Sequence, residues 1–284
     1  MSTSSPPVDF YIPDDTDRAA ALYRTTHLGI GAHQDDLEFM AFHGIAACSE
    51  SSANWFGGIT CTHGGGSSRT GSFKDYTDQQ IMEARMNEQR KAADIGNYSF
   101  VAQLGHASSE LTGPSQAAVI DELEALLRET RPKVVYTHNP ADKHPTHVKV
   151  FVCVIAALRR LAPEERPEQV LGCELWRGLD WLLEEDKVVL DVSGQPALQQ
   201  ELAAVFASQI KGGKRYDRAI PGRQYANATL LDPHQPDAAD QVAYAMNLTP
   251  LIQADAPDII DFVQSGLTRM AQSVTDILRS HLPQ

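Results

Sequence analysis

Residues 27–36 read HLGIGAHQDD, an apolar run that ends on four polar side chains, His33, Gln34, Asp35 and Asp36. The run from His27 to Ala32 is short and continuously apolar, as in a strand buried on both faces of a parallel sheet. From Leu37 to Cys48 the spacing turns helical, so the polar cluster falls where a strand gives way to a helix. The same alternation continues outward. Trp55 to Thr62 (WFGGITCT) reads as a second strand, followed by the Gly/Ser loop HGGGSSRTGS. Thr77 to Gly96 reads as a long helix, with Thr77 as its cap and Gly96 as its stop. Tyr98 to Leu104 is a third strand, Ser115 to Glu129 a helix, Lys133 to Thr137 a fourth strand, and Thr146 to Leu161 a buried helix. This order predicts an α/β fold, Rossmann-like, with a mostly parallel sheet flanked by helices.

After about residue 163 the alternation loosens into a C-terminal elaboration. Residues 174–183 (ELWRGLDWLL) and 187–192 read as strands, 196–210 as helix, 211–223 (KGGKRYDRAIPGR) as a polar loop, and 237–246 and 257–282 as helices. Residues 1–15 are rich in Ser, Pro and Asp and read as a flexible lead-in. No linker-like stretch divides the remainder, so 16–284 are expected to form one domain.

The 284 residues hold 24 Lys+Arg against 37 Asp+Glu, a formal net charge of −13. That balance, with no basic cluster, argues against a nucleic-acid or membrane partner and for a small-molecule one. No apolar run reaches the length of a membrane span. The N-terminus lacks a signal-peptide pattern, so the cytoplasm is the default expectation. The four cysteines sit in apolar flanks and read as buried free thiols. Histidine is the unusual count, at 10, and His138, His144 and His147 fall within ten residues.

Two segments carry chemistry. The first is His33-Gln34-Asp35-Asp36, and the second is His144-Pro145-Thr146-His147, which opens a helix after the fourth strand. Ligands of open α/β sheets bind beyond the carboxyl ends of strands. If the two strands are neighbours, His33, Asp36 and His147 can meet. Three N/O ligands with an open position are the pattern of catalytic zinc, which lowers the pKa of a bound water to roughly 7. Asp35, beside the metal but not on it, could take the water's proton. His144 could donate to the oxyanion or the leaving amine. Each piece has a plainer reading, since paired Asp residues at a helix start are usually caps. The two segments together, each after an apolar strand, weigh against it.

GAHQDD resembles the AHPDD signature of the PIG-L/LmbE-like de-N-acetylases, and HPTH resembles their HPDH signature. Between them, Arg85-Met86-Asn87-Glu88 and Ala92-Ala93-Asp94-Ile95-Gly96 look like that family's RxxE…AAxxLG helix, and Ser208-Gln209 resembles a later SQ element. The resemblance spans about residues 27–210. It implies a zinc-dependent N-deacetylase with His33, Asp36 and His147 on the metal, Asp35 as base and His144 as acid or electrostatic partner. Two departures stand out: Gln34 replaces Pro, and Thr146 replaces the Asp that orients the neighbouring His. Asp142 is a candidate to take over that role. THNPADKHPTH and SQIKGGKRYDRAIPGR also resemble the LmbE-like domain fused to glucosamine-6-phosphate deaminase-like proteins. An N-acetylated amino sugar, free or phosphorylated, is therefore the expected substrate. Arg69, Arg85 and Asp142 are the candidate substrate contacts, with Lys214, Arg215 and Arg223 as further cations for an anionic one. Zn2+ is the expected cofactor, with another divalent metal as the alternative, and a homo-oligomer stays open. The competing readings are a zinc amidase acting on a non-sugar conjugate and a catalytically silent metal- or sugar-binding protein.

Overall fold

The computed structural model describes residues 8–283. Eight strands form one sheet: β1 (Asp9–Tyr11), β2 (His27–Gly31), β3 (Phe56–Thr62), β4 (Phe100–His106), β5 (Val134–His138), β6 (Gln169–Cys173), β7 (Lys187–Asp191) and β8 (Val242–Asn247). Their order across the sheet is β1-β4-β3-β2-β5-β6-β8-β7. The middle five strands are parallel. β1 is antiparallel at one edge; at the other, β8 is antiparallel to β6, and the edge strand β7, antiparallel to β8, runs the same way as the central five. The fold is therefore the expected α/β class, and the residues after 163 extend the same sheet.

Successive strand residues point to opposite faces, and the core divides accordingly. Leu28, Ile30, Ile59, Ala102 and Val135 enter one apolar layer. Helices α1 (Arg18–Tyr23), α5 (Gln116–Thr130) and α6 (Pro145–Arg160) supply its other half. Phe56, Val101, Tyr136 and Leu171 enter the second layer. That layer packs on α2 (Asp36–Met40), α3 (Phe42–Ser49), α4 (Asp78–Ile95) and α7 (Pro196–Val205). Phe56 is fully buried there, with its ring 4.8 Å from that of Tyr98 in an edge arrangement. Phe56→Ala should cost about 3–5 kcal/mol, read as a lower urea midpoint at constant slope. A loss below about 1 kcal/mol would contradict that packing.

Several elements depart from the sequence reading. The expected helix 37–48 breaks at Ala41 into α2 and α3. Thr77 does cap α4, accepting from the Gln80 N–H, but Gly96 has φ −79°. The left-handed residue is its neighbour Asn97, with φ 52°. Residues 174–183 form turns rather than a strand, because the sheet position beside β6 is filled by β8. Within 237–246, residues from Val242 onward form strand β8, not helix. Pairing on both sides overrides the helix preference of its alanines. Beyond the short helix α8 (Ala207–Ile210), α9 (Tyr216–Thr229) occupies much of the expected polar loop, with Pro221 inside it. Its side chains hold it in place: Gln199 donates to Gln224 at 2.7 Å and Asn227 to Glu174 at 2.6 Å. Of the expected lead-in, Asp9–Tyr11 is β1; the reading of 1–7 lies outside the described residues. The last element is α10 (Ile259–His281). No described helix is long and apolar enough to cross a membrane.

Candidate active site

β2 and β5 are parallel neighbours, with Leu28 opposite Val135 and Ile30 opposite Thr137. The two polar segments follow the carboxyl ends of these strands and therefore converge. His33 Nδ1 lies 3.3 Å from Asp36 Oδ2 and 3.3 Å from His147 Nε2. His147 Nε2 lies 3.4 Å from Asp36 Oδ1. These three residues form one of two described clusters able to hold a metal ion. Asp36 Oδ2 accepts from the Ala32 and His33 backbone N–H groups at 3.0 and 2.7 Å, which fixes the carboxylate and turns Oδ1 toward His147.

The donor set fits a divalent ion. Two imidazole nitrogens and a carboxylate oxygen bring their lone pairs together, and only a proton or a cation reconciles them. Tetrahedral zinc with bonds of about 2.0–2.1 Å separates its ligands by about 3.3–3.4 Å, the spacing of His147 Nε2 from His33 Nδ1 and from Asp36 Oδ1. Burial drops His33 to about 4, despite the Asp36 carboxylate, and so keeps its ring neutral. Burial also pulls on His147, but Asp36 and Asp142 outweigh it and raise its pKa. Burial works against the Asp36 charge, yet the imidazoles of His147 and His138 hold it well below the usual carboxylate range.

His138, unassigned by sequence, stands behind this set. It ends β5, stacks on His147 with centroids 3.9 Å apart, and its Nε2 accepts from the Ala32 N–H at 3.0 Å. Its only sequence signal was its place in the histidine-rich stretch. Asp142 stands behind His147 instead of facing the cleft. Its Oδ1 lies 3.6 Å from His147 Nδ1 and accepts from the His144 N–H at 2.8 Å, and its Oδ2 accepts from the Trp176 N–H at 3.1 Å. One carboxylate thus ties down the loop that carries both histidines. With Thr146 in place of Asp, the His144 ring finds a backbone donor: its Nδ1 accepts from the Thr146 N–H at 3.2 Å. In the neutral ring the proton then sits on Nε2.

Asp35 stands at the N-cap position of α2, with no side-chain cap hydrogen bond, and has a left-handed backbone, φ 106°, which is strained for a non-glycine residue. Gln89 holds it there by accepting its N–H at 3.3 Å, and Gln89 in turn donates to buried Glu38 at 2.7 Å. Burial raises the Asp35 carboxyl well above its ordinary value, while Arg85, 3.3 Å away, works against the rise. Arg85 also donates to the Gln34 carbonyl at 2.5 Å and to Ser67, so it clamps the HQDD turn to the glycine loop. Gly64 makes that approach feasible: its φ is +66°, and a Cβ there would come 2.8 Å from Gln34 and 2.9 Å from Arg85. Arg69 is spent elsewhere, donating to the Gly65 and Tyr76 carbonyls and to Asp78.

A cleft of about 630 Å³ opens over these groups. Asp35, His144, the glycine loop and Arg85 line it, but Arg69 and Asp142 do not. Its far wall includes Trp176, Tyr216 and Lys214, the last with its Nζ 4.9 Å over the Trp176 ring. Trp176 lies 6.0 Å from His144, centroid to centroid. Sequence reading does not reveal this aromatic wall, because it assigns Trp176 to a strand and Tyr216 to a polar loop.

The stretch of chain that carries this histidine–carboxylate cluster is similar to the PIG-L family. Residues 28–158 match that family, described as GlcNAc-PI de-N-acetylase, and so carry a PIG-L family domain. No curated protein matches the sequence. Among solved structures, the chain is similar in fold to the N,N'-diacetylchitobiose deacetylase of Pyrococcus horikoshii. Identity is 14%, with 83% of this chain and 88% of that one covered, and the TM-score is 0.65. It is also similar to the 4-carboxy-2-hydroxymuconate hydratase of Pseudomonas putida, at 17% identity, 82% and 100% coverage and TM-score 0.61. A zinc-inhibited form of a teicoplanin deacetylase matches at 14% identity, 78% and 97% coverage and TM-score 0.56.

Proposed function

We propose that this chain is a metal-dependent hydrolase that removes an N-acyl group, acetyl for preference, from an amino sugar or its conjugate. The observation that carries the proposal is the convergence of His33, Asp36 and His147 beside a strained, buried Asp35 at the floor of one cleft. His33, Asp36 and His147 would hold the ion, with zinc the best match to two imidazoles and one carboxylate. A divalent ion there would acidify a water and polarise the acyl oxygen. Asp35 then takes the attacking water's proton and passes it to the leaving amine, while His144, neutral with its proton on Nε2, donates a hydrogen bond to the oxyanion. Asp142 orients His147 from behind. Trp176 offers an apolar face beside His144 on which a sugar ring can lie. We place the protein in the cytoplasm, where its four free buried cysteines stay reduced.

The fold neighbours include a hydratase as well as deacetylases, so acetate release and not fold decides the reaction. The test is a screen of N-acetylated amino sugars, free, phosphorylated and conjugated, for acetate with zinc and other divalent ions added. Acetate from none of them, with metal bound, refutes the reading. His144→Ala should keep the metal and lose rate by roughly 10²–10⁴-fold. Loss of metal in that variant would make His144 a ligand instead.

A further inference from the structure

α10 lies away from the cleft and has two different sides. Its inner side packs on the body: Ile259 and Phe262 touch the main apolar layer. A Cβ on Gly266 would meet Leu182 at 2.9 Å, and Arg269 pairs with Asp186 at 2.6 Å. Its outer side carries Ile260, Leu267, Ala271, Val274 and Leu278, with Ile277 alongside. The large aliphatic residues among these are 45–65% exposed. Their steps are 7, 4, 3 and 4, the period of a helix-pairing seam whose place between Ile260 and Leu267 is taken by Gln264. At 100° per residue, Asp261, Arg269, Asp276 and Arg279 fall on a separate face. An apolar stripe about 27 Å long, interrupted by Gln264 and left open to water, marks a surface that is meant to be covered.

We propose that this stripe pairs, antiparallel, with α10 of a second copy of the chain. Charge selects that occupant and that direction. Asp258 and Asp261 stand at the start of α10, Arg279 and His281 at its end. An antiparallel pair sets acid against base at both ends, whereas a parallel pair sets like against like. The stripe is also self-complementary about its midpoint. Ile260 meets the partner's Leu278, Leu267 meets the partner's Ala271 and Val274 meets the partner's Gln264, each pairing occurring twice about the two-fold axis. A lipid surface is the poorer occupant. Interfacial helices carry Lys and Arg on the polar face, but α10 has no Lys and its charged face is balanced, on a chain of net charge −13.

The test uses the full chain in sedimentation or light scattering. The wild type should weigh twice the 31.1 kDa monomer at concentrations up to about 100 μM. Leu267→Glu with Leu278→Glu should halve that mass and leave the circular dichroism of the folded chain unchanged, because both side chains are exposed. Oxidising a mixture of Leu267→Cys and Ala271→Cys chains should crosslink unlike chains in preference to like ones. A monomeric wild type, a dimer that persists in the double Glu variant, or preferential crosslinking of like chains would overturn the proposal. A monomer that floats with phosphatidylcholine vesicles would assign the stripe to lipid instead.

Discussion

Asp35→Asn should lower acetate release by roughly 10²–10⁴-fold, about 3–5 kcal/mol of barrier, while metal content and fold stay as in the wild type. Asn keeps the size of the side chain and most of its hydrogen bonding but cannot accept a proton at neutral pH. An amide nitrogen leaves poorly as an anion, so the proton lifted from the attacking water must be held and passed on. The backbone supports this choice of variant, since Asn is among the residues that best tolerate the positive φ of 106° found here. The N–H of residue 35 still reaches Gln89, and Arg85 still reaches the Gln34 carbonyl. A fall in rate would therefore report lost basicity and not lost structure. The measurement pairs metal analysis with acetate release at saturating substrate. Full activity with metal in place would remove Asp35 as the base.

The second large effect is expected at the metal. His147→Ala should weaken binding of a divalent ion by more than about 100-fold, because it deletes one of the three proposed ligand atoms, whereas changes behind a ligand typically cost 10–100-fold. Asp142→Asn supplies that comparison, since Asp142 faces the other ring nitrogen of His147 at 3.6 Å. His147 is fully buried against the His138 ring, so alanine also leaves a cavity. His147→Gln fills most of it and should show the same loss of metal in a folded protein. Metal content by elemental analysis and affinity by chelator competition read both variants without any substrate. One ion per chain at wild-type affinity in His147→Gln and His147→Ala would exclude His147 as a ligand.

The sheet was legible from sequence because its central strands are continuously apolar and the helices between them are amphipathic. Both patterns are local. The same holds for the two histidine-bearing segments, since each follows a strand and opens a helix within a few residues. Where local preference met a long-range partner, sequence reading failed. The Ala-rich stretch ending at Met246 became strand β8 because a slot lay open between β6 and β7. ELWRGLDWLL stayed out of the sheet, its Trp176 N–H donating to Asp142 and its Trp176 ring facing the cleft. Contacts across more than a hundred residues also placed the site's supports: His138 beside Ala32, and His147 beside His33. Sequence by itself determined the strand–helix alternation and which side chains could do chemistry, because both are written in short windows. Only the tertiary structure decided which of those side chains meet and what orients them, because strand order and burial depend on packing partners far away in the chain.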